Sequence, residues 1–185
     1  MDLLTLWTIR HRDEFSILMR DGVLRADEAQ VDKGFHLAYQ WMGKQLAKNT
    51  EPPSGCVYPL WAWWRWQGSQ RPMPDLRSGA HLPKGTPGVR IEFTIELSEV
   101  LLSDFDAWHA VLNKHYYAPD EASYNKYLRI TKGKSDHEIR KINEESWENI
   151  FVRKLHDVEK TFSIQAVFWE LKKTQISNVK YFTAR

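Results

Sequence analysis

The chain has 185 residues, with 26 lysines and arginines against 24 aspartates and glutamates, so its formal net charge is only +2. This balance does not indicate that the whole protein is attracted to nucleic acid. The single cysteine, Cys56, excludes an internal disulfide framework and offers no metal-ligand spacing. We find neither a secretory signal nor the roughly 18 consecutive apolar residues of a membrane span. We therefore expect one cytoplasmic domain over residues 1–185, without a membrane partner.

The first part of the chain predicts two strands and two helices. Residues 5–10 are rich in β-branched and aromatic side chains, which is typical of a strand. A short helix follows, with Asp13 as its predicted cap and Gly22 as its stop signal, before an extended piece at 23–25. Asp32 is predicted to begin a longer helix, because apolar residues recur after it at helical spacing.

Four of the nine tryptophans fall within residues 57–66, where both parities of a strand are apolar. A strand with this pattern is covered on both faces. Strand parity divides the segment into two predicted faces. One face carries Tyr58, Leu60, Ala62, Trp64 and Trp66, and the other carries Val57, Pro59, Trp61, Trp63 and Arg65. The second face includes the charged side chain, so we expect it to contact a ligand through Trp63 and Arg65.

The rest of the chain predicts a long loop, further strands and a helical region. The loop spans 70–88, a strand with clear alternation spans 89–97, and a shorter strand spans 100–102. Ser103 is predicted to cap the next helix, with Asp106 three residues later in a capping-box position. Residues 121–155 are predicted to be mostly helical. Two final strands are predicted at 162–171 and 179–182, joined by a turn around 176–178.

Known catalytic motifs are absent from the sequence: there is no glycine-rich phosphate loop and no nucleophile elbow. Polar residues on apolar strands are therefore the main candidates, since buried polar groups need partners. These candidates are Thr8 and Arg10 on the first strand and Gln165 and Glu170 near the end of the chain. Each also has a structural explanation, namely exposure at a strand end or sheet edge. Asp104, Asp106 and His109 form a further group, explained equally well by helix capping.

The order of these segments resembles a known family. Residues 6–13, 16–18 and 21–24 are similar to the opening strand, short helix and exit of the DarT-type DNA ADP-ribosyltransferases, and 57–61 to their second core strand. Residues 165–168 resemble the strand that carries their catalytic glutamate. The chain also resembles a family of uncharacterised bacterial proteins that share its Tyr-Pro-Leu-Trp-Ala-Trp and Leu-Leu-Ser-Asp-Phe-Asp blocks.

The transferase resemblance implies an α+β fold, with an ADP-ribosyltransferase-like split mixed/antiparallel sheet flanked by helices. It implies a nucleotide ligand, with NAD as the candidate cofactor, in a cleft between the first strand and the tryptophan strand. Glu170 would be the catalytic carboxylate that holds a ribose hydroxyl, and an arginine would contact phosphate. The implied cofactor-binding residues are Trp7, Thr8, Arg10, Trp63, Arg65 and Gln165.

Two positions depart from the transferase pattern, and this weakens the expectation of catalysis. Thr8 stands where the family commonly has a histidine or arginine, and Val167 stands where the glutamate is expected. Glu170 lies three residues further along, so it would point to the opposite face of a regular strand. Two other functions stay open. One is a non-enzymatic nucleic-acid-binding module that uses the basic segment 126–134; the other is a protein partner in a toxin–antitoxin or phage-defence pair, contacted through the loop 70–88.

Overall fold

A computed structural model describes residues 2–185. The strands are β1 (Leu3–His11), β2 (Val23–Arg25), β3 (Leu60–Arg65), β4 (Pro87–Glu96), β5 (Leu101–Asp104), β6 (Ile164–Phe168), β7 (Glu170–Lys172) and β8 (Ile176–Thr183). The α-helices are α1 (Arg12–Asp21), α2 (His36–Leu46), α3 (Phe105–Leu112), α4 (Glu121–Thr131) and α5 (Asp136–Ser146). None of the helices in this part of the chain has the length and apolar character needed to cross a bilayer.

Six strands form an antiparallel sheet in the order β5-β6-β3-β1-β4-β8, and β2 pairs with β7 in a separate two-stranded sheet. The α+β class and the antiparallel character of the sheet are therefore confirmed. Each face of the large sheet carries its own apolar core. The first core combines alternate residues of the strands with α1 and the small sheet. The second core lies under α2, α3 and the residues that follow α5.

Strand β6 shows how the sequence supplies both cores. Ile164, Ala166 and Phe168 pack into the first core, whereas Val167 is fully buried in the second. Trp169 is also buried in the second core, and its indole donates a 2.9 Å hydrogen bond to the carbonyl of Thr50. The predicted strand 162–171 is therefore two strands, because the chain leaves the large sheet at Trp169 and then pairs with β2.

Several predicted element bounds are wrong by a few residues; for example, α2 begins at His36 rather than directly after Asp32. Helix α1 begins at Arg12, because His11 rather than Asp13 is the cap, although the left-handed Gly22 ends it as predicted. Helix α3 is capped by Asp104, whose carboxylate accepts from the amide of Ala107 over 2.9 Å, and not by Ser103. The turn predicted at 176–178 lies inside β8, since Ile176 and Asn178 pair with Phe93 and Glu92 of β4.

A bulge in β3 changes which side chains share a face. Trp63 lies opposite Gln165, but Arg65 lies opposite Ile164, so the intervening Trp64 is an extra residue in the ladder. Neighbouring residues of β6 point to opposite faces, and therefore so do Trp63 and Arg65. The predicted grouping of Arg65 with Trp63 is wrong, because that grouping required a regular strand.

Candidate functional site

A groove of about 610 Å³ opens on the sheet face that is covered by α2 and α3. Residues from β1, β3 and β6 line it, together with both helices and the segments around residues 66 and 81. We call it the aromatic groove. Its principal side chains are Thr8, Arg10, Tyr39, Trp61, Trp63, Trp66, His81, Phe105, Asp106, Trp108, His109, Ser163 and Gln165.

The groove lies where β1 and β3 are joined mainly by side chains. These strands share one registered pair in the described residues, Trp7 opposite Trp63, whereas β1 and β4 are in register at nine positions. Next to that pair, the carbonyl oxygen of Trp61 accepts hydrogen bonds from Thr8 Oγ1 over 2.8 Å and from Arg10 Nη2 over 3.3 Å. The Thr8 hydroxyl also accepts from Arg10 Nε over 3.1 Å. Thr8 thus connects the two strands to the guanidinium.

Arg10 supplies positive charge to the groove. Only 17% of its side chain is exposed, and its Nη1 lies 3.5 Å from a carboxylate oxygen of Glu14 in the first turn of α1. Burial lowers the pKa of Arg10, and the negative charge of Glu14 opposes that shift. An arginine stays protonated in proteins nonetheless. Arg10 Nε and Nη2 already donate within the protein and Nη1 faces Glu14, so one N–H on each terminal nitrogen is left for an anionic ligand.

Aromatic rings form the apolar part of the lining. Trp61 lies 5.3 Å from the ring of Tyr39 and 4.9 Å from that of Trp108, and Trp63 lies 4.8 Å from Phe105. The indole N–H of Trp61 is buried and has no hydrogen-bond partner within residues 2–185. Buried indole N–H groups usually have a partner, so this donor is an exception among the residues of the groove. Burial also raises the pKa of Tyr39, which keeps its hydroxyl neutral at neutral pH.

Polar groups from β6 and α3 complete the lining. Gln165 is buried, and its Nε2 donates to Ser103 Oγ over 3.1 Å. Asp106 and His109 are exposed along one side of α3, and His109 Nδ1 lies 3.0 Å from the carbonyl oxygen of Phe105. The groove therefore combines flat rings with a few charged and hydrogen-bonding groups, a combination typical of small-molecule sites.

Comparison with known protein families identifies the chain. Residues 5–177 match the family model described as a domain of unknown function, DUF3841. The chain belongs to this family. No curated protein matches it. The prediction of an uncharacterised family is therefore confirmed, while the ADP-ribosyltransferase resemblance of this DUF3841 domain stays a prediction.

The structure of this DUF3841 domain brings four of the predicted ligand-binding residues into the aromatic groove. These residues are Thr8, Arg10, Trp63 and Gln165. Trp7 shares a face with Trp63 but is not part of the groove lining, and its indole donates to Glu92 Oε2 over 2.9 Å. Trp7 therefore links β1 to β4 structurally.

Arg65 lies outside the groove. Its Nη1 is 3.4 Å from the carbonyl oxygen of Val158, and its guanidinium carbon stands 4.0 Å above the ring of Trp64. Trp64 packs against the first core. After the β3 bulge it is Trp66, not Arg65, that lines the groove. The phosphate contact expected from Arg65 is not supported by this position.

Glu170 also lies away from the groove. It stands opposite Arg25 in the small sheet and forms an ion pair with it, including a hydrogen bond of 2.6 Å from Arg25 Nε. It lines a different cavity, beside Trp169 and the segment after α2. The structure therefore does not bring the predicted catalytic carboxylate together with Thr8 and the tryptophan strand.

Sequence reasoning missed several residues of the groove because helical spacing explained them as core. Tyr39 on α2 and Phe105 and Trp108 on α3 occupy the inward-facing positions of their helices. Trp108 belongs to the second core, Tyr39 packs against it and Phe105 packs against Trp63, and all three rings also meet the groove. Local periodicity cannot separate these two roles, since both require an apolar side chain that faces the sheet.

Proposed function

We propose that this DUF3841 domain binds a nucleotide in the aromatic groove, with NAD as the leading ligand. The observation that supports it best is the cluster at Trp61. There Thr8 and Arg10 reach from the first-core face of β1 to the backbone carbonyl of Trp61, at the separation of β1 from β3, while the Trp61 ring packs against Trp108 on the opposite face. The groove volume of about 610 Å³ lies within the range of roughly 300–1,000 Å³ usual for small-molecule sites.

Each part of a nucleotide has a matching group in the groove. The fork of N–H donors on Arg10 suits phosphate oxygens. Trp63 offers a ring for stacking against the base or the nicotinamide. The buried N–H of Trp61 and the amide of Gln165 can hydrogen-bond ribose or carboxamide oxygens. This distribution of charge and aromatic surface favours a nucleotide over a purely apolar ligand.

Our proposal is binding, without a catalytic role for Glu170. Transfer of ADP-ribose builds positive charge on the sugar, and a nearby carboxylate stabilises that charge. Glu170 is paired with Arg25 outside the groove. Asp106 is a carboxylate of the groove lining, but it is exposed on α3 and is not positioned by a hydrogen bond in the described part of the chain.

Titration with NAD while tryptophan fluorescence is recorded tests this proposal. We expect a saturable change, because Trp61 and Trp63 line the groove. Trp63→Leu should weaken binding by about 1–3 kcal/mol, the usual contribution of base stacking. Trp64→Leu is the matched control, since it removes the same ring from the same strand on the opposite face. The absence of any change at millimolar NAD in the wild-type chain contradicts the proposal.

Single-stranded nucleic acid is the second candidate ligand, favoured by helix α4. No residue of α4 is buried, and the helix presents the exposed Tyr124 beside the cations Lys126 and Arg129. Binding of a labelled oligonucleotide should then weaken steeply as salt concentration rises. Retained binding at high salt, or none at low salt, argues against it. A protein partner of the loop 70–88 also stays a prediction, to be tested by co-purification of a stoichiometric second protein.

A further inference from the structure

A second cavity, of about 620 Å³, lies on the same side of the sheet next to the aromatic groove. The segment that follows β3 covers it, and Trp66 and Gln67 line both cavities. We call it the basic pocket. Its charged lining residues are Arg71, Asp75, Arg77, Arg90 and Lys180. Four cationic side chains against one carboxylate leave a net charge of +3 in this lining.

Arg90 and Lys180 are directly opposite each other on β4 and β8. Like charges in this position destabilise a sheet. Arg90 is also half-buried and fixed, since its Nη1 donates to the carbonyl of Pro74 over 2.8 Å. Burial lowers the pKa of Arg90, while Glu92 and Asp75 act in the opposite direction. An anion between Arg90 and Lys180 would compensate for the repulsion that the sheet register imposes.

Asp75, the carboxylate of the basic pocket, already forms an ion pair. Arg77 donates to both oxygens of Asp75: its Nε lies 3.0 Å from Oδ1 and Oδ2, and its Nη2 lies 2.6 Å from Oδ2. These hydrogen bonds hold the pKa of Asp75 far below its usual range, so Asp75 stays ionised and paired with Arg77. Glu92, the other nearby acid, accepts from Trp7 and from the Ser177 hydroxyl.

Two cations therefore remain available in the basic pocket. Arg71 and Lys180 are exposed, and neither forms an ion pair within residues 2–185. Arg71 comes from the covering segment and Lys180 from the edge strand β8, so they reach the pocket from different parts of the chain. With Arg90 they offer several N–H donors around one cavity.

We propose that the basic pocket binds a phosphate group. Guanidinium groups bind phosphate oxygens bidentately, and an ammonium adds a third charge-assisted donor. The phosphate could belong to the nucleotide in the adjoining groove or to a second phosphorylated molecule. The site rests on Arg71, Arg90 and Lys180 and does not depend on NAD binding, because an inorganic anion can test it.

Calorimetric titration with inorganic pyrophosphate is the direct test. We expect saturable binding to the full chain, weakened about tenfold by Lys180→Gln and by Arg71→Gln, since each removes one charge-assisted hydrogen bond. Lys141→Gln, on the exposed surface of α5, removes the same charge elsewhere and should leave the dissociation constant unchanged. No saturable binding, or an equal loss in the Lys141 variant, overturns the proposal.

Thermal unfolding of Lys180→Gln gives an independent readout. Without an anion, the variant should unfold at a higher temperature than the wild type, because the repulsion with Arg90 is removed. Pyrophosphate should then raise the unfolding temperature of the variant less than that of the wild type. A variant that is less stable without anion and equally stabilised by pyrophosphate contradicts the proposal.

A competition experiment identifies the source of the phosphate. If NAD displaces pyrophosphate, the pocket holds a phosphate of the groove nucleotide. If both bind together with unchanged affinities, the pocket serves a second phosphorylated molecule. If pyrophosphate binds and NAD does not, the phosphate-site proposal stands and NAD is not the ligand of the aromatic groove. If NAD binds and pyrophosphate does not, the aromatic groove stands as the nucleotide site and the phosphate-site proposal is wrong.

Discussion

Thr8 and Trp61 are joined by a 2.8 Å hydrogen bond from the threonine hydroxyl to the tryptophan carbonyl. Thr8 is buried, and the same hydroxyl accepts from Arg10 Nε over 3.1 Å. One small side chain therefore connects β1 to β3 and fixes the cation of the aromatic groove. A hydroxyl suits this position because it can donate to Trp61 and accept from Arg10 at the same time.

Thr8→Val should destabilise the fold by about 1–3 kcal/mol. The valine keeps the shape of threonine, but Trp61 loses the shorter of its two side-chain donors and Arg10 loses an acceptor. Urea unfolding measures the change. Thr94→Val on β4, where the threonine is exposed, is the matched control and should change stability little. Equal effects of the two substitutions contradict a bridging role for Thr8.

The sequence predicted the polar members of the groove because each stands out within an apolar strand. Thr8, Arg10 and Gln165 interrupt runs of apolar residues, and buried polar groups need partners. The sequence put Arg65 on the wrong face of β3 because no residue stands out in that segment. Residues 57–66 are apolar at both parities, so nothing in that pattern reveals that Trp64 is the extra residue of a bulge.

The cap of α3 and the position of Glu170 are two further features that the sequence alone did not predict. Ser103 and Asp104 are both good N-cap residues, and the choice depends on Gln165, which lies 62 positions away and uses the serine hydroxyl. The position of the Glu170 side chain depends on the pairing of β7 with β2, which brings together residues 145 positions apart in the chain. Strand registers of this kind are set by tertiary packing and not by local propensity.

Gly68→Ala should be more destabilising than Gly55→Ala. Both glycines have left-handed φ angles, 75° and 81°, so alanine costs about 1–2 kcal/mol at either position. A Cβ at Gly55 meets no atom within 4 Å, whereas one at Gly68 would overlap the carbonyl oxygen of Lys160. The neighbouring Ser69 amide donates to that oxygen over 2.6 Å. Unfolding midpoints in urea compare the variants, and equal midpoints would show that the segment relaxes freely.

Gly68→Ala and Gly55→Ala also test whether the two cavities depend on the segment that follows β3. Gly68 follows Trp66 and Gln67, which line both the aromatic groove and the basic pocket. Gly68→Ala should therefore weaken both NAD and pyrophosphate binding, and Gly55→Ala should weaken neither. Loss of binding in both variants would indicate a general effect of reduced stability.

Glu170→Gln should leave ligand binding unchanged. The glutamate is paired with Arg25 in the small sheet, and neither residue lines the aromatic groove. The amide keeps the shape of the side chain and can still accept a hydrogen bond from Arg25. NAD titration of the variant measures the effect, with Gln165→Met as the comparison that should weaken binding. A large loss of NAD affinity in Glu170→Gln would falsify the separation of this residue from the site.

Glu138 should contribute to stability at neutral pH but not in strong acid. Hydrogen bonds from the amide and the hydroxyl of Ser135, with Lys134 beside them, lower the pKa of Glu138 from 4.5 to about 2. A depressed pKa in the folded state stabilises the protein above the unfolded pKa, and that contribution disappears as pH falls from about 4.5 through 2.

Glu138→Gln should therefore reduce the loss of stability between pH 4.5 and 2, because this amide does not titrate. Near pH 7 the variant should be less stable than the wild type, since the helix start of α5 loses its carboxylate. Urea midpoints measured across this pH range provide the comparison. Glu145→Gln, which removes the same charge from an exposed position on the same helix, is the control. An identical pH profile for Glu138→Gln and the wild type contradicts the stabilising role of the capping carboxylate.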